Sequence, residues 1–289
     1  MELHVGRGTN RAALTVFPLW SAACGPTGYS ATAVNAVLSE LDGAPAVRSL
    51  MVKNAGARPL LLLEGQLLEG GWQHRMLTRS VLVAAGESMS LDVACVEQGR
   101  WHGAARHTST GRRASMRVRN VDPVDPQVVD QQSEVWRRVA EQDATYGANG
   151  TDSLVEHVDR ARDDVRELVG GMQALPGQVG VLIGIAGQPV MAEVFDSPST
   201  LRRQFRSIVE AAAFDAVGQD PIRTPARRAI RFVERLSSVR RQPVAPAGLG
   251  TTVSGASSYA TVTGLAWQRR LVHLRASNSR HALNAVRAG

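Results

Sequence analysis

The fold is decided by residues 60–101, which read LLLLEGQLLEGGWQHRMLTRSVLVAAGESMSLDVACVEQGRW. The four leucines at the start predict a strand that is buried on both faces. Gly70-Gly71 accommodates positive φ angles and predicts a hairpin. From Ser88 to Glu97 apolar and polar residues alternate, as in a strand with one buried face. Four or five strands so close together predict a β-sandwich or a barrel-like sheet.

The rest of the chain predicts a different organisation. We expect α+β architecture, with an antiparallel sandwich- or barrel-like N-terminal half and a helix-rich C-terminal half closed by a short hairpin. The expected regions are a strand-rich part at 1–101, a basic loop, lid or junction at 102–126, a helix-rich part with short strands at 127–276, and a loose tail at 277–289. The same pattern is compatible with one integrated domain.

Three capping patterns predict helices in the second half. Ser153 with Glu156 forms a capping box, and Ser197-Pro198 and Thr224-Pro225 each place a cap before a first helical residue. Strands are expected at residues 179–185, 190–195, 259–266 and 270–275, with a Pro- and Gly-rich connector at 242–250.

Composition excludes several classes of protein. With 44% hydrophobic and 20% charged residues the chain is typical of globular proteins. It has no apolar run long enough for a transmembrane helix and no signal-peptide pattern near Met1, so we expect no membrane partner. Cys24 and Cys95 form no CxxC pair, which predicts free thiols in the cytoplasm, and no zinc-ligand spacing predicts a metal site.

The formal charge of +7 comes almost entirely from arginine, since Lys53 is the only lysine. This bias is typical of a GC-rich genome, or of a protein with an anionic partner. The helix after Pro225 carries Arg227, Arg231 and Arg235 in steps of four, with Ile230, Val233 and Leu236 on the other side. Such a stripe is either a phosphate-binding surface or a solvated helix face.

Glu64 and Glu97 are the candidate catalytic residues. Glu64 follows the leucine run and Glu97 ends the alternating strand, so both carboxylates lie at strand ends, where desolvation favours proton transfer. The structural alternative is that they pair with Arg75 or Arg100 and hold the strand ends together.

A second chemical hypothesis concerns Cys95, with His74 as its base. Because Cys95 shares a face with aliphatic residues, the sequence favours a buried core cysteine. The chain contains no GxxxxGK[ST], GxGxxG or GxSxG motif, which excludes the usual nucleotide-hydrolase and α/β-hydrolase patterns.

Two segments resemble the signature of the ARPP domain family, the ADP-ribosylglycohydrolase- and rhodanese-phosphatase-associated protein domain. They are Leu63–Gly71 followed by Gln73 and Arg75, and Cys95–Trp101. The similarity continues in order from about residue 14 to 276, through Phe17-Pro18-Leu19, residues 195–201 and residues 271–274. Where the family pattern reads Lys-Gln-Asn-Arg, this chain has Trp72-Gln73-His74-Arg75, so Gln73 and Arg75 carry over but a lysine-dependent or His74-dependent mechanism does not.

The resemblance implies a link to ADP-ribose, NAD or RNA-repair chemistry in bacterial conflict systems. Our leading hypothesis is a binding or accessory protein for a nucleotide, an ADP-ribose-like ligand or an RNA end. In it, arginine holds phosphate, tryptophan stacks on a base and a glutamate binds sugar hydroxyls. The expected lining residues are Glu64, Glu69, Gln73, Arg75, Glu97, Arg100 and Trp101.

Two alternatives from other classes stay open. One is a hydrolase or glycosidase-like enzyme that uses Glu64 or Glu97 as general acid/base. The other is a structural or accessory subunit without a small ligand. The sequence specifies neither a cofactor nor an oligomeric state.

Overall fold

The structure is a computed structural model that describes residues 2–22, 24–25, 27–41, 46–120 and 130–284. The chain divides into two compact units: unit 1 comprises residues 1–27 and 164–289, and unit 2 comprises residues 28–163. Unit 2 therefore contains both of the polar motifs found in the sequence. Among the described residues, no helix combines the length and the apolarity needed to cross a membrane.

The elements are numbered in chain order. The strands are β1 (His4–Val5), β2 (Thr9–Arg11), β3 (Leu14–Trp20), β4 (Ala36–Ser39), β5 (Ser49–Asn54), β6 (Leu60–Leu62), β7 (Leu67–Gly70), β8 (Arg75–Leu77), β9 (Val81–Val83), β10 (Ser88–Cys95), β11 (Arg106–Thr108), β12 (Gly180–Ile185), β13 (Gln188–Phe195), β14 (Gln242–Ala247), β15 (Gly250–Ala256), β16 (Ala260–Trp267) and β17 (Arg270–Asn278). The helices are α1 (Met116–Arg119), α2 (Gln131–Ala140), α3 (Asp143–Tyr146), α4 (Leu154–Arg160), α5 (Arg162–Val169), α6 (Pro198–Ala216) and α7 (Ala226–Ser237), with a 3₁₀ turn at Ala33–Asn35.

Unit 1 is built on one antiparallel sheet. Its strand order is β1-β3-β12-β13-β17-β16-β15-β14, and β2 adds to β3. The edge strand β14 contains Pro243 and Pro246, which have no backbone N–H to donate to a further strand. The prolines therefore limit edge-to-edge association of this sheet.

Helix α7 covers one face of this sheet. Its buried residues Ala229, Phe232, Val233 and Leu236 pack in one apolar cluster with strand residues that include Phe17, Leu182, Val194 and Leu274. Ile230, which the periodicity placed on the apolar side, is instead 43% exposed. Helix α6 begins as predicted, because Ser197 caps it and Pro198 is its first residue.

Unit 2 is built on a closed six-stranded barrel. The strands follow one another in the order β10-β5-β4-β11-β7-β8, and β8 pairs back with β10. Of the two expected arrangements the structure therefore shows the barrel. The leucine run forms β6, which pairs with β9, and its residues Leu60–Leu62 are all buried as predicted.

The prediction of a helix-rich C-terminal half is not confirmed, because β12 to β17 lie in this part of the chain. Two of these strands carry few of the usual strand signals. The connector expected at 242–250 contains the whole of β14 despite its prolines, and β15 is rich in Gly, Ser and Thr. The predicted helix after Ser153 is split at Ala161 into α4 and α5.

Two predicted irregular segments are more ordered than expected. Within 102–126, Arg106–Thr108 form barrel strand β11 and Met116–Arg119 form α1, and residues 121–126 lie outside the described residues. Strand β11 has three residues and its buried residue is a histidine, so its sequence shows no hydrophobic alternation that would predict a strand. At the tail, Asn284 is buried and donates to the carbonyl of Val190 at 2.9 Å, while residues 285–289 lie outside the described part.

Barrel closure depends on Gly71, and we predict that Gly71→Ala destabilises the protein strongly. Gly71 has φ +59°, and a Cβ there would lie 2.0 Å from the His107 ring. The expected cost is about 1–2 kcal/mol of backbone strain plus roughly 1–3 kcal/mol of overpacking, measured by urea denaturation. Gly86→Ala is the matched control, since Gly86 has φ +75° with nothing within 4 Å. Equal losses in the two variants would contradict this role of Gly71.

Candidate functional site

Three polar side chains point into the barrel among leucines and valines. The register pairs Arg75 with Cys95 on one side and with Leu68 on the other. His107 pairs with Gly70, two residues after Leu68, so its side chain lies on the same face of the sheet. Arg75, Cys95 and His107 are all buried, which identifies this face as the barrel interior.

The Arg75 guanidinium is only partly hydrogen-bonded. Its Nη1 donates to Gln73 Oε1 at 2.7 Å and contacts Cys95 Sγ. Among the described residues, neither Nε nor Nη2 has a hydrogen-bond partner, although the residue is fully buried. Nε and Nη2 form one edge of the guanidinium, the kind of edge that binds two oxygens of a carboxylate or phosphate. Arg75 therefore presents an unused pair of donors inside unit 2.

The Glu40 carboxylate lies beside His107 and is a hydrogen-bond acceptor. Its Oε1 accepts a hydrogen bond from the Trp72 backbone N–H at 3.2 Å and lies 3.0 Å from His107 Nε2. Burial lowers the pKa of His107 and outweighs the opposing effect of Glu40, so the ring is neutral at pH 7 and donates through Nε2. The other oxygen of Glu40 is buried without a partner among the described residues.

Cys95 is a structural part of this cluster. Its Sγ lies 2.9 Å from Gln73 Oε1, and its backbone N–H and C=O both bond the Gln132 side chain at 2.8 Å. Burial raises the pKa of the Cys95 thiol to about 11, despite the nearby Arg75. His74 does not serve it as a base, because His74 Nδ1 accepts from the Gly70 N–H at 3.0 Å. This environment favours the predicted core cysteine.

Two tryptophans adjoin Arg75. Trp72 and Trp101 form an edge-to-face pair with ring centroids 5.7 Å apart. The Arg75 guanidinium carbon lies 5.6 Å from the centroid of the Trp101 ring. Trp101 is 44% exposed, whereas Arg75 is fully buried.

The Glu97 carboxylate accepts several hydrogen bonds. Arg100 donates Nε to both carboxylate oxygens at 3.0 Å and Nη2 to Oε2 at 2.7 Å. The backbone N–H of His74 and the hydroxyl of Thr151 donate at 2.9 and 3.0 Å. Burial raises the pKa of Glu97, but these donors together lower it below its usual value. The geometry therefore matches the structural pairing with Arg100 that the sequence analysis left open.

The other two candidate carboxylates also bond arginines. Glu69 accepts from Arg112 through both oxygens, at 2.9 and 2.6 Å. Burial opposes ionisation of Glu69, but Arg112 and Thr110 lower its pKa overall. Glu64 Oε1 accepts from Arg119 at 2.8 Å.

The structure thus divides the predicted site residues into two groups. Gln73 and Trp101 both contact the buried Arg75, whereas Glu97 with Arg100, Glu69 with Arg112 and Glu64 with Arg119 form ion pairs. Sequence reasoning missed Glu40, His107 and Trp72. The one available signal for Glu40 was its position two residues after the buried Leu38, which continues the inward alternation of β4.

Comparison with known proteins supplies the family. Residues 2–277 match the family model described as ARG and Rhodanese-Phosphatase-superfamily-associated Protein domain, ARPP-1. The chain belongs to the ARPP-1 family. The match covers nearly the whole chain, so the resemblance carried by the two polar motifs is confirmed. No curated protein and no solved structure matches this ARPP-1 chain.

We predict that Glu97→Gln weakens folding near pH 7 and flattens the acid limb of the stability curve. A lowered carboxyl pKa contributes stability that is complete above the unfolded value, near 4.5, and is lost as the pH falls through the folded value. Losing one partner of a buried pair costs about 3–5 kcal/mol at pH 7. Urea denaturation between pH 3 and 7 measures both effects.

Glu87→Gln is the control, because Glu87 is exposed and its side chain makes no hydrogen bond or ion pair with the residues that the structure describes. It should stay within about 0.5 kcal/mol of wild type. An acid limb as steep in Glu97→Gln as in wild type would refute the assignment of Glu97 as an ionised structural carboxylate.

Proposed function

We propose that the barrel of unit 2 binds a small phosphate-bearing ligand of the nucleotide or ADP-ribose class, and that the protein acts as a binding or accessory component. The observation that carries this proposal is the buried donor edge of Arg75. A buried guanidinium with two unbonded nitrogens costs free energy. An anionic ligand that accepts from both nitrogens recovers that cost and explains why an arginine is kept there.

The surroundings of Arg75 restrict the ligand class. Phosphate oxygens fit the Nε–Nη2 edge, and the unused oxygen of Glu40 requires a donor on the ligand, such as a sugar hydroxyl. The Trp72 and Trp101 rings offer surfaces on which a base can stack. A ligand with a phosphate, a ribose and a base meets all three requirements, which inorganic phosphate alone does not.

Access to the donor edge requires movement of Trp101. Its ring centroid lies 5.6 Å from the guanidinium carbon and the residue is 44% exposed, so we expect a change of the Trp101 rotamer when the ligand binds. Glu97 and Arg100 keep the chain segment before Trp101 in place and are positioning residues in this proposal. RNA ends carry the same phosphate and ribose groups, so the experiment below includes them.

The enzyme alternative has less support. Glu97 has a lowered pKa and accepts from arginine, backbone and hydroxyl donors, so it is ionised at pH 7 and unsuited to act as a general acid. Glu64, the other candidate of this alternative, accepts from Arg119 at 2.8 Å. We therefore propose binding rather than turnover as the function of this site.

The discriminating variant is Arg75→Met, which removes the charge and keeps the length of the side chain. We expect its unfolding free energy to lie within about 1 kcal/mol of wild type or above it, since replacing a buried charged group by an apolar one is often neutral or stabilising. We expect its ligand response to be lost. A ligand at 100 times its Kd stabilises the wild type by about 2.7 kcal/mol, measurable by thermal shift with ADP-ribose, NAD, mononucleotides and 5′- or 3′-phosphorylated RNA.

Arg48→Met is the control, because the Arg48 side chain is 69% exposed and, within the described part of the chain, forms its ion pair with Asp130 alone. It should keep the full ligand response. A large stability loss in Arg75→Met together with no ligand response in wild type would show that Arg75 serves the fold, and the proposal would fail.

A further inference from the structure

The exposed face of α7 carries a line of arginines. Arg227, Arg231 and Arg235 follow one another at intervals of one helical turn, and all three are exposed. With a rise of 1.5 Å per residue, the line is about 12 Å long. Arg223, Arg240 and Arg241 continue the positive charge beyond the two ends of the helix.

Little negative charge compensates this surface. Residues 223–241 contain Glu234 as their single acidic residue. Among the described residues, Arg227 and Arg231 make no ion pair, whereas some exposed arginines of other helices do, such as Arg206 with Glu210 and Arg162 with Asp159. The face is therefore a concentrated positive surface.

The arrangement is unfavourable for the helix itself. The first turn has no acidic residue and no side-chain cap bond, and it contains Arg227 and Arg228 next to the positive end of the helix dipole. The pairs 227/231 and 231/235 place like charges at i and i+4, where they repel. A merely solvated helix face would gain stability from glutamate at these positions, so the charge pattern indicates a binding function.

The aromatic ring of Tyr259, next to this surface, is already covered. The guanidinium carbons of Arg235 and Arg280 each lie 4.0 Å from the centroid of the Tyr259 ring. These contacts hold Arg235 in place and leave the ring unavailable for stacking on a base. Recognition by this face therefore depends on charge.

We propose that the arginine face of α7 binds the phosphate backbone of nucleic acid without reading its sequence. Arginine matches phosphate through its planar fork, and a contact made by charge alone is sequence-independent. The site belongs to unit 1 and does not rest on the ligand proposed for the barrel.

The test is fluorescence anisotropy of the full chain with short labelled DNA and RNA duplexes over a series of NaCl concentrations. The variant R227Q/R231Q/R235Q should bind at least about tenfold more weakly at low salt, and the slope of log K against log salt should shrink by roughly 2.7, or 0.9 per phosphate contact. Duplexes of unrelated sequence should bind equally well.

The matched control is R202Q/R203Q/R206Q on α6, which removes the same charge from exposed positions of another helix in the same unit. It should keep the wild-type slope to within about one unit. The variant R227Q/R231Q leaves the Tyr259 contact intact and should have a Tm no lower than wild type. Its slope of log K against log salt should shrink by about two thirds of the change expected for the triple variant on α7.

Two results would overturn the proposal. One is no duplex binding by wild type at low salt, which would indicate an acidic protein partner or a solvated face. The other is an equal loss in the two triple variants, which would mean that only the net charge of the chain matters.

Discussion

Burying the Arg75 guanidinium inside a closed barrel is the constraint around which unit 2 is arranged. The charge leaves water, and among the described residues its Nη1 alone is hydrogen-bonded, to Gln73. Gln73 in turn bonds Cys95, and Gln132 holds the backbone of Cys95 at the end of β10. The Nη1 nitrogen of the guanidinium is thus held by the amide of Gln73, which also bonds the thiol of Cys95. The Nε–Nη2 edge has no partner among the described residues.

Carboxylate contacts hold the chain segments around Arg75 in place. Glu97 binds Arg100, whose Nη1 also donates to the carbonyl of Gly71 at 2.8 Å, so that pair fixes the turn between β7 and β8. Glu40 joins His107 on β11 to the Trp72 backbone. Glu97, a catalytic candidate in the sequence, therefore makes contacts that hold the chain segments next to Arg75.

Much of this could be predicted from local sequence, and the rest could not for identifiable reasons. The alternation from Ser88 to Glu97 predicted β10, and Ser197-Pro198 predicted the start of α6, because both signals lie within a few residues. The pairing of Glu97 with Arg100 was among the alternatives for the same reason. Glu40 and His107, by contrast, are 67 residues apart and meet only because β4 and β11 are neighbours in the closed barrel. Strand order in a barrel is a tertiary property that no local pattern specifies.

The central claim is that the Nε–Nη2 edge of Arg75 is a ligand-binding group, and NMR of the arginine side chains tests it most directly. In protein labelled with ¹⁵N-arginine, the Arg75 Nε–H resonance is identified by its absence from Arg75→Lys. We predict that this resonance moves downfield when ADP-ribose or a nucleotide is added, while the Arg48 resonance stays unchanged. A Nε–H resonance that does not respond to any phosphate-bearing ligand, or that is already strongly hydrogen-bonded in the free protein, would contradict the account.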